Sequence, residues 1–309
     1  MQTESTFTFK DSAGYEIFVY RWMPPAGVAA KAAVQIAHGA AEHALRYRRF
    51  AHFLNAAGYV VYANDHRGHG KTAASLEKAG SAGVDGWNGM VNDMKLLSDR
   101  IRAENPSLPL MLFGHSMGSF LAQQYIQSWG SSLAGVVLSG TTGSLGDNLP
   151  MVIAAVEQDI EQQGPDAPSA VFGQMFAGFN APFEPIKTGF EWLSRDEAEV
   201  QKYVDDPWCG FPFSNALVAD MLKGGQTLWS PDCEAHIPTD LPVLMIAGAM
   251  DPVGGFATQV QALAARYQVL GVKDLTVKLY TGARHEVLNE TNYGEVQQDV
   301  LDWLDAHSA

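Results

Sequence analysis

One short segment restricts the possible folds more than any other: Gly114-His115-Ser116-Met117-Gly118. It follows the apolar run Pro109-Leu110-Met111-Leu112-Phe113 and opens a segment of helical composition over 119–129. A serine between two glycines, at the junction of a buried strand and a helix, marks an elbow that lifts the serine above the sheet edge. The turn is so tight that its flanking positions cannot carry large side chains, hence the glycines. The helix that follows aims its N-terminus at the serine, where its dipole favours a developing negative charge. An ordinary glycine-rich turn would show the same letters, so the rest of the chain has to decide.

Strands and helices alternate on both sides of this elbow. Short apolar runs closed by Gly, Pro or Asp predict strands over 15–22, 33–38, 59–64, 110–114 and 135–139. Those at 33–38 and 135–139 are apolar on both faces, as strands inside a parallel sheet are. Helical patterns fill the gaps at 47–57, 89–104 and 116–129. In the second, Met90, Met94, Leu97 and Ile101 recur at helical spacing, and Pro106 stops it. After Gly140 the pattern changes. Residues 141–238 hold no clear buried strand, only helical segments near 148–163, 169–179, 195–204 and 215–228. Alternation resumes with a strand at 242–247, a helix near 256–268, a strand at 275–280 and a closing helix near 293–307. The expectation is a mainly parallel α/β sheet flanked by helices, its core made of 1–140 and 239–309, with 141–238 inserted as a helical lid.

Charge and composition narrow the function. The stretch 141–238 has fifteen Asp/Glu against four Lys/Arg, so it carries most of the chain's net −14. That balance argues against nucleic acid, which demands Lys and Arg to neutralise phosphate, and against tight docking on anionic lipid. No apolar run approaches the ~18 residues of a membrane span, and the N-terminus lacks the basic and apolar regions of a signal peptide. Two cysteines, Cys209 and Cys233, exclude a disulfide scaffold and fit a reducing cytoplasm, the expected compartment. Nothing in the sequence specifies an oligomeric state.

A nucleophilic serine needs a base, and the base needs an orienting acid. After an elbow of this kind they follow in the order acid, then histidine. Val243-Leu244-Met245-Ile246-Ala247 ends in Gly248-Ala249-Met250-Asp251-Pro252-Val253, and Val277-Lys278-Leu279-Tyr280 ends in Thr281-Gly282-Ala283-Arg284-His285. Asp251 and His285 thus lie just past the carboxyl ends of strands, where open α/β sheets gather functional groups. Read singly, Asp251 could be a helix N-cap before Pro252 and His285 a surface loop histidine; the joint order favours a Ser116, Asp251, His285 triad. Acyl transfer also requires backbone donors for an oxyanion. One is the N–H after the serine, Met117. The other should come from the small-residue loop His38-Gly39-Ala40-Ala41-Glu42-His43, with Ala40 preferred over Ala41.

With these motifs assembled, the chain resembles the monoacylglycerol lipase and bacterial lysophospholipase group of the α/β-hydrolases, which falls among the serine aminopeptidase S33-type hydrolases. His38–His43 with Arg46-Tyr47 is similar to its HGxxEHxxRY loop, and Gly114–Gly118 to its GHSMG elbow. Asp65–Gly70 is similar to its DxxGHGxS loop, with Thr72 in place of the usual serine. Gly248–Val253 and Arg284–Glu290 are similar to its GxxDPV and RHExxNE segments. The resemblance implies an α/β-hydrolase fold with a lid and no cofactor. It implies hydrolysis of small carboxylic esters, monoacylglycerols or lysophospholipids, with Ser116, Asp251 and His285 as triad and Ala40 and Met117 as oxyanion hole.

Glu42, His43 and Arg46 are candidates to support the His285 loop from behind; the bland reading is a surface Glu42–Arg46 ion pair. Phe172, Met175, Phe176 and Phe179, with Val171, recur at helical spacing and would either line an acyl pocket or pack a lid helix. Asp196, Glu197 and Glu199 read as a solvated helix face. Asp65–Thr72 falls one residue short of a phosphate-binding loop, and Asn289 replaces the second histidine of HExxH in His285–Asn289. Neither nucleotide nor metal is therefore expected. His66 and His69 read as loop structure. Rival functions are an aminopeptidase of the proline iminopeptidase type, a serine acyltransferase and a non-catalytic ligand-binding protein.

Overall fold

A computed structural model describes residues 3–308. Its sheet has eight strands: β1 (Thr3–Lys10), β2 (Glu16–Met23), β3 (Ala32–Ala37), β4 (Tyr59–Asn64), β5 (Leu110–His115), β6 (Gly135–Ser139), β7 (Val243–Gly248) and β8 (Leu275–Tyr280). Their spatial order is β1-β2-β4-β3-β5-β6-β7-β8. β1 and β2 pair antiparallel with each other and β2 with β4; all later pairs are parallel.

Side chains alternate across the strands, and the two faces bury different helices. Val34, Ile36, Met111, Phe113, Leu244 and Ile246 pack against α1 (Arg48–Ala56) and the C-terminal helix Tyr293–Ala306. Ala33, Leu110, Leu112, Val136, Leu138 and Met245 face α2 (Gly86–Glu104), α3 (Met117–Trp129) and the helix Thr258–Val269. β3 to β7 are buried along their whole length, as their two-sided apolar runs require.

Between β6 and β7 the chain forms α4 (Leu149–Gln163), α5 (Ala170–Met175), α6 (Glu197–Asp205), α7 (Asn215–Leu228) and α8 (Pro231–Glu234), and among the described residues it adds no strand to the sheet. The helices Thr258–Val269 and Tyr293–Ala306 are α9 and α10.

Several expected boundaries move. β1 lies outside the strands expected from the sequence, because its small and polar residues alternate with only Phe7 and Phe9; pairing with β2 carries it. The helix expected over 169–179 ends at Met175, and the remainder turns through Gly178 at φ +87°. The helix expected from 195 starts at Glu197, capped by the Asp196 side chain, which accepts from the Ala198 and Glu199 N–H groups. Asp196 is thus a cap rather than a solvated face residue, and Glu199 is paired with Arg49 at 2.8 Å. The short helix α8 was not anticipated.

Candidate active site

Ser116 stands at the tip of the turn from β5 into α3, with φ 51° and ψ −123°. A non-glycine residue holds such a conformation only where its surroundings enforce it, at a cost of about 1–3 kcal/mol. Here they do. A Cβ on Gly114 would lie 2.4 Å from the Gly118 carbonyl oxygen, and one on Gly118 would lie 2.2 Å from that of Ala37. The Ser116 N–H donates to the Ser139 carbonyl of β6 at 2.9 Å, fixing the elbow to the neighbouring strand.

The chain brings Asp251 and His285 together through another close approach. A Cβ on Gly248 would sit 2.1 Å from the Arg284 carbonyl oxygen, so the ends of β7 and β8 converge as only glycine permits. Asp251 Oδ2 and His285 Nδ1 are 2.9 Å apart, the aspartate fully buried and the histidine 2% exposed. Asp251 Oδ1 accepts the Val253 N–H at 2.9 Å. Burial disfavours the protonated ring, but the Asp251 charge and hydrogen bond outweigh it, so the His285 pKa lies above the usual histidine value. Ser116 and His285 line one cavity. Among the described contacts no hydrogen bond joins their side chains; such bonds commonly tighten only when substrate binds.

The loop after β3 shows which backbone donors are free. The Gly39 N–H donates to Glu42 Oε1 at 2.6 Å, and the Ala41 N–H to His69 Nε2 at 3.2 Å. Among the described residues none accepts from the N–H of Ala40 or of Met117, and both residues line the cavity beside Ser116. His69 has its own proton on Nδ1, given to the Arg67 carbonyl at 2.9 Å, and so presents the bare Nε2 that Ala41 needs. His38, His66 and His69 are all fully buried, and burial lowers their pKa, to about 3 for His66 and about 4 for His69. His69 thus holds the Ala41 amide, and the His38 ring accepts the His66 backbone N–H at 2.9 Å.

Arg46 sits at the centre of a buried ion network. It reaches Glu42 at 2.6 Å and clasps Glu286 with two bonds at 2.7 and 2.8 Å. Burial alone would raise the Glu286 pKa; Arg46 holds it down at about 2. Glu286 follows His285 directly, so the network links the Ala40 loop to the His285 loop. The Glu42–Arg46 pair is not a surface pair. His43 departs from the expectation: its Nε2 meets Asp206 at 2.9 Å, on the β6–β7 segment, rather than the His285 loop. Their donor atoms and Cys209 Sγ lie within 4.8 Å of one another, a geometry that could hold a soft divalent cation, but two of the three already bond each other.

The cavity over Ser116 has a volume of about 820 Å³. Phe172, Met175, Phe176 and Phe179 all line it. The same side chains pack within the β6–β7 segment: Phe172 stacks on Phe213 at 4.2 Å and Phe176 on Trp192 at 5.6 Å. One face does both jobs. Trp192, whose ring lies 5.0 Å from that of His285, was missed in the sequence because no motif surrounds it.

The comparisons with known proteins agree with this arrangement. The family model described as serine aminopeptidase, S33, matches residues 28–292. A monoacylglycerol lipase from Mycolicibacterium smegmatis is 31% identical over 99% of this chain and 98% of its own length. A monoglyceride lipase from Mus musculus is 26% identical over 93% of this chain and 85% of its own. Among solved structures, a thermostable carboxyl esterase from Bacillus coagulans, in complex with glycerol, superposes with a TM-score of 0.90 at 27% identity, covering all of both chains. The chain has the α/β-hydrolase fold and belongs to the serine aminopeptidase S33 family.

Proposed function

We propose that this protein hydrolyses neutral carboxylic esters, monoacylglycerols or similar esters of short to medium acyl chain, through an acyl-enzyme on Ser116. The reaction class is ester hydrolysis. The buried Asp251–His285 pair, whose histidine lines one apolar cavity together with Ser116, is the observation that carries the mechanism.

Ser116 Oγ attacks the ester carbonyl while His285 Nε2 takes its proton. Asp251 keeps the other ring proton on Nδ1 and stabilises the imidazolium. The free Ala40 and Met117 N–H groups receive the oxyanion, a contribution of about 3–4 kcal/mol for a donor in comparable sites. The imidazolium protonates the leaving alcohol. Water, deprotonated by His285, then releases the acid. Residues 1–140 and 239–309 act as the catalytic core in this reading, and 141–238 as the lid that shapes the acyl cavity.

Acidic side chains around the cavity do not favour the aminopeptidase reading. The carboxylates at its wall, Glu42 and Glu286, are both engaged by Arg46 rather than offered to a substrate ammonium. A panel of p-nitrophenyl esters and aminoacyl-p-nitroanilides tests the choice. Turnover of the esters, best at short to medium chains, is expected; anilide cleavage without esterase activity would overturn it. Lysophospholipids are the competing alcohol class, and direct comparison with monoacylglycerols separates the two. Among the described residues no helix is long and apolar enough to cross a membrane.

A further inference from the structure

The β6–β7 segment is attached to the rest of the molecule in two unlike ways. Residues 148–180, with α4 and α5, meet the core through apolar side chains such as Leu149, Ile153, Val171 and Phe172. Among the described hydrogen bonds and ion pairs, those made by 148–180 stay within 141–238, as in Glu157–Lys223 and the Ser169 N–H to the Phe213 carbonyl. Residues 191–195 are bonded directly to the loop after β8. The His285 N–H donates to the Trp192 carbonyl at 3.3 Å, and the Glu286 N–H to that of Leu193 at 2.7 Å. Arg284 Nη1 donates to the carbonyls of Glu191 and Ser194, at 2.7 and 3.1 Å. Ser194 Oγ donates to the Asn289 carbonyl at 2.8 Å. Arg195 holds the fully buried Glu290 at 2.8 Å and Asn292 at 3.0 Å.

We propose that the lid is divided in function. Residues 191–195 are a fixed strap that positions His285, with Ser194, Arg195 and Arg284 as positioning residues, while 148–180, which makes no described polar bond to the core, carries the movement that admits substrate. The inference rests on the reading of His285 as the general base. Movement of 148–180 slides apolar contacts and breaks mostly neutral hydrogen bonds, such as Trp192 N–H to Asn180 Oδ1 and Ser169 N–H to the Phe213 carbonyl, whereas removing Arg195 would strip the buried Glu290 carboxylate of its ion-pair partner, so the first half opens at lower cost. A lid that swung as one piece would strip the Trp192 and Leu193 carbonyls from the His285 and Glu286 amides at every opening, and so release the base. Gly146, just before the first half, has a φ of +89° and open space around it, which fits a hinge.

The test uses the full-length enzyme with a p-nitrophenyl ester. Arg195→Met and Ser194→Ala are expected to lower kcat about 10- to 100-fold while KM changes less than about two-fold, since they misplace the base and leave the pocket intact. Arg195→Lys should recover most of the loss. The acid limb of the pH profile should move in Arg195→Met, because the groups that face His285, namely Asp251, Glu286, Glu42 and His115, would shift relative to it. Hydrogen exchange of the unmodified enzyme should show amides of 149–175 opening faster than those of 285–286. Ser194→Ala removes one hydroxyl and serves if Arg195→Met fails to fold. Wild-type kcat and pH profile in both variants, with His285→Ala inactive, would overturn the strap. Exchange of 149–175 and 285–286 as one unit would do the same. Full turnover by His285→Ala would instead sink the assignment of the base.

Discussion

In the mechanism proposed above, the balance between burial and the Asp251 charge at His285 decides the working pH. Because the net effect holds its pKa above about 6.5, the neutral base is lost as pH falls through a value higher than for a free histidine. The acid limb of kcat/KM should therefore lie above about pH 6.5. Asp251→Asn should lower kcat by about 10⁴ and move that limb downward, read from a pH–rate profile; an unmoved limb would mean that Asp251 does not set it. The buried loop histidines behave oppositely. His69 titrates near 4 in the folded chain and near 6.5 unfolded, so the unfolded state binds more protons in that interval. The stability it contributes is complete above about pH 6.5 and is lost as pH falls towards 4. Chemical denaturation between pH 7.5 and 5 should show this decline, shared with His38 and His66, and His69→Gln should make it shallower; an equally steep profile in the variant would contradict the assignment. Ser116, Asp251 and His285 could be singled out in the sequence because each follows a recognisable strand. His69 and Glu286 appeared in motifs but their tasks did not, since these depend on which backbone amide or guanidinium comes near in space. The partner of His43, Asp206, lies 163 positions away, where no local pattern points to it.

The elbow is an element whose geometry rests on two absent methyl groups. Gly118→Ala should destabilise the protein by more than about 3 kcal/mol, because its Cβ would collide with backbone that cannot give way. The control is Gly294→Ala in α10, where nothing lies within 4 Å. That change should be neutral or stabilise by up to about 1 kcal/mol. Thermal or urea denaturation checks both, and equal effects would show that steric closeness does not govern the elbow. The buried parallel strands were the most legible elements, because strands covered on both faces are apolar throughout. β1 was hidden because an edge strand half in solvent has no such run. α5 was overextended because its apolar spacing continues through Phe176 and Phe179, which line the cavity from a turn rather than a helix.

For the whole molecule, 141–238 carries most of the acidic excess and also supplies much of the apolar lining of the cavity, with none of its own carboxylates in that lining. Such a field repels anionic substrates, and salt screens it over about 10 Å at 0.1 M. Anionic monoesters should therefore be cleaved more slowly than neutral ones at low ionic strength and gain on added salt, while neutral monoacylglycerols respond little. Equal salt responses would remove the charge of 141–238 as a selector. The α/β core and its interruption were readable from strand–helix alternation, but the attachment of 141–238 was not, because 191–195 reaches the His285 loop through main-chain carbonyls that carry no sequence signal.

The central claim is that ester turnover passes through Ser116. Treatment with a fluorophosphonate probe, followed by peptide mapping and assay of monoacylglycerol hydrolysis, tests it most directly. The account predicts one covalent adduct, on Ser116, with activity lost in proportion to labelling and neither labelling nor turnover in Ser116→Ala. Hydrolysis that persists in the fully labelled enzyme or in Ser116→Ala would contradict it.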